Sequence, residues 1–259
     1  MKRLLQLAAA SFFLLLYPEF VVMRVLLLVY IVVLLFSSCQ QKLADKQLPP
    51  LSQEEMVIRN LDSLKKIASA GDLLVRLGDD LLSYQIKYLN EADQSYSHAG
   101  MIIEKGVEKL VAHITPDDPD KNGINYIPID SFLNPAKNLK CALYRYTLNA
   151  EEKKNTIATI EKYKQLDVQF DRLYNLKTGG DMYCSEMISK AIESATAERI
   201  KFKPVNIPVK MQPALYNHFK KQLTKKTIAE RKIITIDNLY RIPECSLVMQ
   251  FQLKYLPGE

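Results

Sequence analysis

The chain lacks several features that assign a protein to a common class. It has no tryptophan and only 3 histidines and 4 cysteines among 259 residues. It contains no internal repeat, no low-complexity tract and no run of like charges long enough to favour nucleic-acid binding. The His-x-x-x-His and Cys-x-x-Cys spacings of zinc sites are also missing. We therefore expect no metal, no cofactor and no nucleic-acid partner.

The longest apolar stretches lie at the N terminus. Residues 25–36 are uninterrupted apolar residues behind Arg24, and residues 35–39 (LFSSC) resemble a bacterial lipobox with Phe36 in place of the usual leucine. The stretch is short for a bilayer span and typical of a signal peptide. We expect a lipoprotein-type signal peptide over residues 1–38, with translation starting at Met23, and a lipidated Cys39. The alternative is a plain N-terminal membrane anchor.

The rest of the chain has the composition of an ordinary globular domain. Removing residues 1–38 lowers the formal net charge from +6 to +4, because Lys2, Arg3, Arg24 and Glu19 leave with it. Residues 39–51 have no periodicity and are expected to be a lipid-anchored tether, followed by one domain over residues 52–259. The expected location is the bacterial cell envelope, on the periplasmic side of the outer membrane.

The hydrophobic pattern predicts a mixed α+β fold. A capping box at residues 52–55 begins a first helix, and two C-terminal strands would extend or close a sheet. Predicted helices cover residues 56–67, 79–90 and 150–166, and predicted strands cover 73–77, 99–103, 110–114, 124–129, 141–146, 232–236 and 247–253.

Cys184 is the candidate nucleophile. It lies in residues 179–188 (GGDMYCSEMI), where Asp181 is a good N-cap. Cys184 would then fall in the first turn of a helix, where free N–H groups and the positive end of the helix dipole stabilise a thiolate. The alternative is a core cysteine, because apolar residues follow it at helical spacing. Cys141 and Cys245 lie in strand-like runs and are expected to be buried thiols, although their compartment would allow them to pair.

Two of the three histidines fall on one predicted hairpin. A loop at residues 105–106 would place His98 directly opposite His113. A loop at residues 106–107 would shift the register by two residues and leave the histidines diagonal on the same face. The alternative is that His98 caps a strand and His113 is a half-buried surface residue. His218 has no neighbour that explains it and is expected at the surface, and a zinc site of three histidines and Cys184 is disfavoured.

Three segments in this order resemble a known family. They are residues 71–74 (GDLL), 96–102 (YSHAGMI) and 183–187 (YCSEM), with an acidic and aromatic stretch at 167–171 before the cysteine. The chain resembles, over about residues 71–192, the circularly permuted papain-like branch of the NlpC-type cysteine peptidases, which includes YiiX-like envelope proteins and is related to lecithin:retinol acyltransferases. The resemblance implies a small antiparallel sheet packed against the Cys184 helix. At the position of His113, some YiiX-like relatives have glutamate.

The resemblance implies a cysteine hydrolase that acts through a thioester. His98 would take the proton of Cys184 and remain as an imidazolium beside the thiolate, while His113 would orient His98. The N–H of Cys184 would bind the oxyanion, with Asp72 or Tyr183 as a second contributor; Asp72 could equally be a strand-end cap.

The substrate stays open among three interpretations. An amide bond in peptidoglycan peptides is the first expectation, and a lipid amide or ester, hydrolysed or transferred, is the second. The third is a catalytically silent module that binds lipid or cell wall. Residues 201–216 are expected to form one wall of the site. A charged, open pocket would indicate a peptidase, and a deep, apolar pocket a lipid hydrolase.

Overall fold

A computed structural model of the protein describes residues 22–23, 25–32, 51–116, 123–178, 180–207 and 213–255. The chain divides into two units, Met1–Pro50 and Leu51–Glu259. In the first unit, residues 25–32 are helical and exposed to solvent. The expected lipidation site, Cys39, lies outside the described residues. Among the described residues, none forms a helix of the length and hydropathy that a membrane span requires.

The second unit contains eight described strands and eight described α-helices, and it carries every candidate catalytic residue. The predicted helices and the first five predicted strands are confirmed within a few residues. The strands are β1 (Leu73–Gly78), β2 (His98–Lys105), β3 (Glu108–Ile114), β4 (Ile124–Pro128), β5 (Asn138–Tyr146), β6 (Val205–Asn206), β7 (Lys232–Ile233) and β8 (Cys245–Gln252). The helices are α1 (Gln53–Ile67), α2 (Leu81–Ile86), α3 (Ile129–Phe132), α4 (Ala150–Gln165), α5 (Cys184–Ala195), α6 (Pro213–Lys220), α7 (Lys225–Glu230) and α8 (Ile236–Tyr240).

Six of the strands form one antiparallel sheet in the order β4-β3-β2-β1-β5-β8. The C-terminal strand β8 pairs with β5, so the prediction that it extends the sheet is confirmed. The same prediction for residues 232–236 is wrong, because β7 pairs with β6 in a separate two-stranded sheet. Thr235 then forms a capping box with Asn238 and begins α8, which ends the extended segment.

The sheet separates two hydrophobic clusters. On one face, side chains such as Val75 and Met101 pack against α4 and α5. On the other face, Leu74 and Ile102 pack against α1 and α3. This alternation is the period of two along a strand. It places Arg76, His98 and His113 on the face of Leu74 and Ile102, where Phe132 contacts both histidine rings. Both Cys141 and Cys245 are free thiols; Cys141 is buried as expected, whereas Cys245 is only partly buried.

The hairpin between β2 and β3 has the second of the two predicted registers. Met101 pairs with Ala112 and Lys105 with Glu108, so the loop is residues 106–107 and the prediction of directly opposed histidines is wrong. Gly106 has φ 64° while Val107 is not in the left-handed region. A loop with positive φ only at its first residue is a type II′ turn, which favours glycine there. His98 and His113 are therefore diagonal on the same face.

Candidate active site

An open cavity lies at the end of the sheet where β1 finishes, β2 begins and β3 finishes. Its empty volume, counted to the solvent, is about 670 Å³. His98 and Cys184 both line it, together with Arg76. Because the cavity is at the strand ends, it is lined by residues of β1 and β2 and by the start of α5. The apolar lining residues are Leu82, Ile86, Leu89, Pro116, Phe170, Tyr174, Ile233, Ile234 and Ile236.

Cys184 is the first residue of α5 and is buried, with an exposed fraction of 7%. The predicted N-cap at Asp181 is wrong: Tyr183 occupies that position and makes no side-chain cap hydrogen bond. The first helical hydrogen bond is donated by the N–H of Met187, so the N–H groups before it have no helical acceptor. The backbone N–H groups of Ala99, Ser185 and Cys184 itself lower the pKa of the Cys184 thiol, which favours the thiolate. The expected placement in the first turn is confirmed.

The two histidines form a hydrogen-bonded pair. Nε2 of His98 and Nδ1 of His113 are 3.1 Å apart, and the rings meet edge to face with centroids 5.4 Å apart. This contact uses one nitrogen of His98 and leaves Nδ1 as the nitrogen available to a thiol. Within the described residues, no hydrogen bond joins the sulfur of Cys184 to a ring nitrogen of His98. Catalytic hydrogen bonds are often loose before substrate binds.

The electrostatics of the site differ from the expected thiolate–imidazolium pair. Burial raises the pKa of the Cys184 thiol, although the N–H groups of Ala99, Ser185 and Cys184 and the charge of Arg76 oppose this. Burial, then Arg76, lowers the pKa of His98 well below its usual value and that of His113 to about 4. The resting site near pH 7 therefore holds a neutral thiol and neutral imidazoles. The helix start alone does not outweigh the desolvation of the sulfur.

One wall of the cavity is a segment that the sequence did not indicate. Ile234 donates its N–H to the hydroxyl of Tyr183 at 2.7 Å, and its carbonyl accepts from the hydroxyl of Ser185 at 2.7 Å. Ile236 donates its N–H to Oδ1 of Asn90 at 3.0 Å. These bonds fix residues 233–236 between the start of α5 and the segment after α2.

Of the other residues predicted to contribute to the site, some line the cavity and others do not. Tyr183 lines it, and its hydroxyl oxygen accepts a hydrogen bond from the N–H of Ile234. Asp72 is outside the lining: it pairs with Arg145 at 2.6 Å and accepts from the N–H of Ser69 at 2.8 Å. These contacts favour the strand-end interpretation of Asp72. Of the predicted wall 201–216, Leu215 lines a neighbouring cavity, and among the residues of this segment that the structure describes none lines the main one.

Within the ranges that the structure describes, no group of three or more His, Cys, Asp or Glu side chains is arranged to hold an ion. His218 lies in α6, and its side chain is outside the described part of the structure.

Gly100 is needed for the close approach of the two histidine strands. A Cβ atom at this position would meet Cγ1 of Val111 at 2.4 Å and the carbonyl oxygen of Ala112 at 3.2 Å. We expect Gly100→Ala to lower the free energy of unfolding by about 1–3 kcal/mol, since β3 must shift to admit the methyl group. Gly180→Ala is the matched control, because a Cβ there meets nothing within 4 Å. Urea unfolding of both variants tests this, and equal stabilities would contradict it.

Comparison with known proteins supports the fold described above. The model of a family described as "Permuted papain-like amidase enzyme, YaeF/YiiX, C92 family" matches residues 68–248. The crystal structure of metalloprotein yiiX from Escherichia coli O157:H7 is similar, with a TM-score of 0.58 and 18% identity over 71% of this chain and 97% of that chain. At this identity the structural likeness supports the fold alone. A search of the curated proteins found no match.

Proposed function

The chain belongs to the permuted papain-like amidase family of YaeF and YiiX, the C92 family, and on that premise we propose that Cys184 is its nucleophile, His98 its base and His113 the residue that orients His98. Membership makes the chain an amidase-type hydrolase with a permuted papain-like fold. The residue roles are supported chiefly by the shared cavity of Cys184 and His98, together with the 3.1 Å contact between the two histidines.

The acylation step uses His98 first as a base and then as an acid. As the sulfur of Cys184 attacks the carbonyl carbon, its proton passes to Nδ1 of His98. The oxyanion accepts a hydrogen bond from the N–H of Cys184, which has no helical acceptor. The imidazolium then gives the proton to the leaving nitrogen and the C–N bond breaks. The amine departs, and a thioester remains on Cys184. Because the resting site is neutral, proton transfer accompanies the attack.

Deacylation repeats these steps with water. His98 takes a proton from the water that attacks the thioester, and returns it to the sulfur as the C–S bond breaks. His113 accepts the Nε2–H of His98 throughout, which holds the ring in the tautomer with a free Nδ1. Breaking this contact would let the ring turn away from the sulfur.

The cavity is open and polar residues such as Arg76, Asn90 and Thr115 line part of it, but its apolar side favours a substrate with an apolar acyl group. The main cavity and a neighbouring one of about 580 Å³ share Leu82, Ile86 and Phe170 along an apolar wall. A polar stem peptide would offer these side chains few apolar contacts. An acyl chain packed against them would be removed from water. Of the sequence-based interpretations, we therefore favour a lipid amide or ester over peptidoglycan peptides.

The acyl-chain proposal predicts a length dependence. We expect kcat/KM for acyl p-nitroanilides to rise from acetyl to decanoyl, by up to about fourfold for each methylene that enters the cavity. Leu82→Asp should flatten this rise, because Leu82 lines both cavities. Leu81→Asp is the matched control, since Leu81 is 75% exposed and lines neither cavity.

Two results would contradict the acyl-chain proposal. One is a kcat/KM of the unmodified protein that does not depend on chain length, together with faster cleavage of a peptidoglycan stem peptide than of the p-nitroanilides. This result would restore the peptidase interpretation. Equal effects of Leu82→Asp and Leu81→Asp would mean that the cavity does not hold the acyl group.

We also propose that the enzyme acts in the bacterial cell envelope, anchored through a lipidated Cys39. The support is the lipobox-like sequence at residues 35–39. Mass spectrometry of the mature N-terminal peptide tests it, because a thioether-linked diacylglycerol on Cys39 is expected and an unmodified peptide contradicts it.

A further inference from the structure

Arg76 lies against the histidine pair. It lies in β1 directly opposite His98 in β2, and directly opposed side chains have Cβ atoms about 5 Å apart. Its guanidinium carbon is 4.9 Å from the ring centroid of Phe132. The rings of His98 and His113 are 5.6 and 5.5 Å from that same ring. Arg76 also lines the cavity beside Cys184.

A neutral side chain helps to hold the guanidinium in this place. Nη1 of Arg76 donates to Oδ1 of Asn138, which is buried. The amide nitrogen of Asn138 donates to the carbonyls of Phe132 at 3.2 Å and Asn134 at 2.9 Å. An amide acceptor fixes the direction of the guanidinium without cancelling its charge.

The other titratable groups around Arg76 come from several elements. On β5, the thiol of Cys141 is opposite Arg76 and is neutral, because burial raises its pKa. In the loop after β1, Asp79 pairs with Lys254, and Asp80 accepts from the N–H of Ser83. The remaining facing groups are those of the site itself: His98 on β2, His113 on β3 and Cys184 at the start of α5.

We propose that Arg76 is a positioning residue that uses its fixed positive charge to keep the His98–His113 pair uncharged in the resting enzyme, so that Nδ1 of His98 remains a free base in acidic as well as neutral solution. The value of this device for catalysis rests on the proposed function. A cation next to an imidazole disfavours a second positive charge, and it does so more strongly where the imidazole is partly removed from water. The same charge favours the thiolate of Cys184 once its proton has left.

This arrangement suits the cleavage of an amide. The leaving nitrogen must be protonated before the C–N bond breaks, and an imidazolium destabilised by Arg76 is a stronger acid towards it. The base form of His98 is present above its pKa and is lost as the pH falls through that value. Since burial and Arg76 both lower the pKa of His98, the acid limb of kcat/KM should lie well below pH 6.5.

Histidine titration by NMR tests the proposal without a substrate. Long-range 1H–15N spectra of the full chain follow the 3 histidines from pH 3.5 to 8, with His98→Gln and His113→Gln used for assignment. In the unmodified protein, both site histidines should stay neutral far below pH 6.5, with His113 titrating near a pKa of about 4. Arg76→Met should raise both midpoints by about one pH unit or more. Arg76→Lys keeps the charge and should leave them near the unmodified values.

Three results would overturn the proposal. The first is a midpoint near pH 6.5 for His98 and His113 in the unmodified protein, which requires no variant to fold. The second is Arg76→Met with unchanged midpoints, and the third is Arg76→Lys with the same shift as Arg76→Met, which would assign the effect to packing. These spectra do not depend on turnover, so failure here is separate from failure of Cys184 as the nucleophile.

Discussion

Replacing Cys184 with alanine should lower amide hydrolysis by about 10⁴-fold or more in kcat while the fold remains intact. The thioester route has no substitute for the sulfur, because removing the nucleophile leaves only binding and the oxyanion N–H groups. The change removes one sulfur atom from a side chain that makes no hydrogen bond to the histidines. The far-UV circular dichroism spectrum and the melting temperature should therefore stay close to those of the unmodified protein, and p-nitroanilide release measures the loss.

Cys245→Ala is the matched control for this variant. Cys245 is also a free thiol, partly buried in the edge strand β8, and it does not line the cavity. We expect it to keep full activity. A Cys184→Ala protein that hydrolyses as fast as the Cys245→Ala protein would refute the cysteine mechanism. If the unmodified protein and both variants bind acyl chains and none of them hydrolyses a substrate, the protein is the silent binding module.

Replacing His98 with alanine should lower kcat by about 10²–10⁴-fold, the usual contribution of a general acid and base. The loss should be larger for an acyl p-nitroanilide than for the corresponding p-nitrophenyl ester. An anilide needs a proton on its leaving nitrogen, whereas p-nitrophenolate leaves without one. The ratio of the two rates therefore reports the acid role of His98 separately from its role as a base.

His113 supplies the graded comparison for His98. His113→Asn retains an oxygen that can accept the Nε2–H of His98, so we expect a smaller loss than for His113→Leu, which has no acceptor. Equal losses for these two variants would contradict the orienting role. A His98→Ala protein that cleaves anilides at the unmodified rate would remove His98 from the mechanism altogether.

The local features of this fold could be predicted because single segments determine them. The capping box of Ser52 and Glu55 fixes the start of α1, and it is visible in four consecutive residues. The first-turn position of Cys184 was predicted correctly from a helix start near Asp181, although the N-cap is Tyr183. The sequence limits the register of the histidine hairpin to two alternatives, because a two-residue loop can lie at residues 105–106 or at residues 106–107. The positive φ of Gly106 at the first loop position distinguishes them.

The cavity could not be predicted in the same way, because it forms between distant segments. Ile234 reaches Tyr183 and Ser185 across about fifty residues of sequence, and no local pattern encodes that contact. The neutral state of the site is also a tertiary property, since it depends on how far Cys184 and His98 are removed from water. Arg76 left one signal in the sequence: it is the only charged residue in β1, a strand that is otherwise buried.

The central claim is that Cys184 carries the acyl group during turnover, and mass spectrometry of the acyl-enzyme tests it most directly. The described domain, incubated with decanoyl p-nitroanilide and quenched in acid within the first turnover, should yield a Cys184 peptide heavier by one decanoyl group. The adduct should disappear on treatment with hydroxylamine, as a thioester does, and should be absent from the His98→Ala protein. Turnover without a thioester on Cys184, or an adduct on Cys245 instead, would contradict the account.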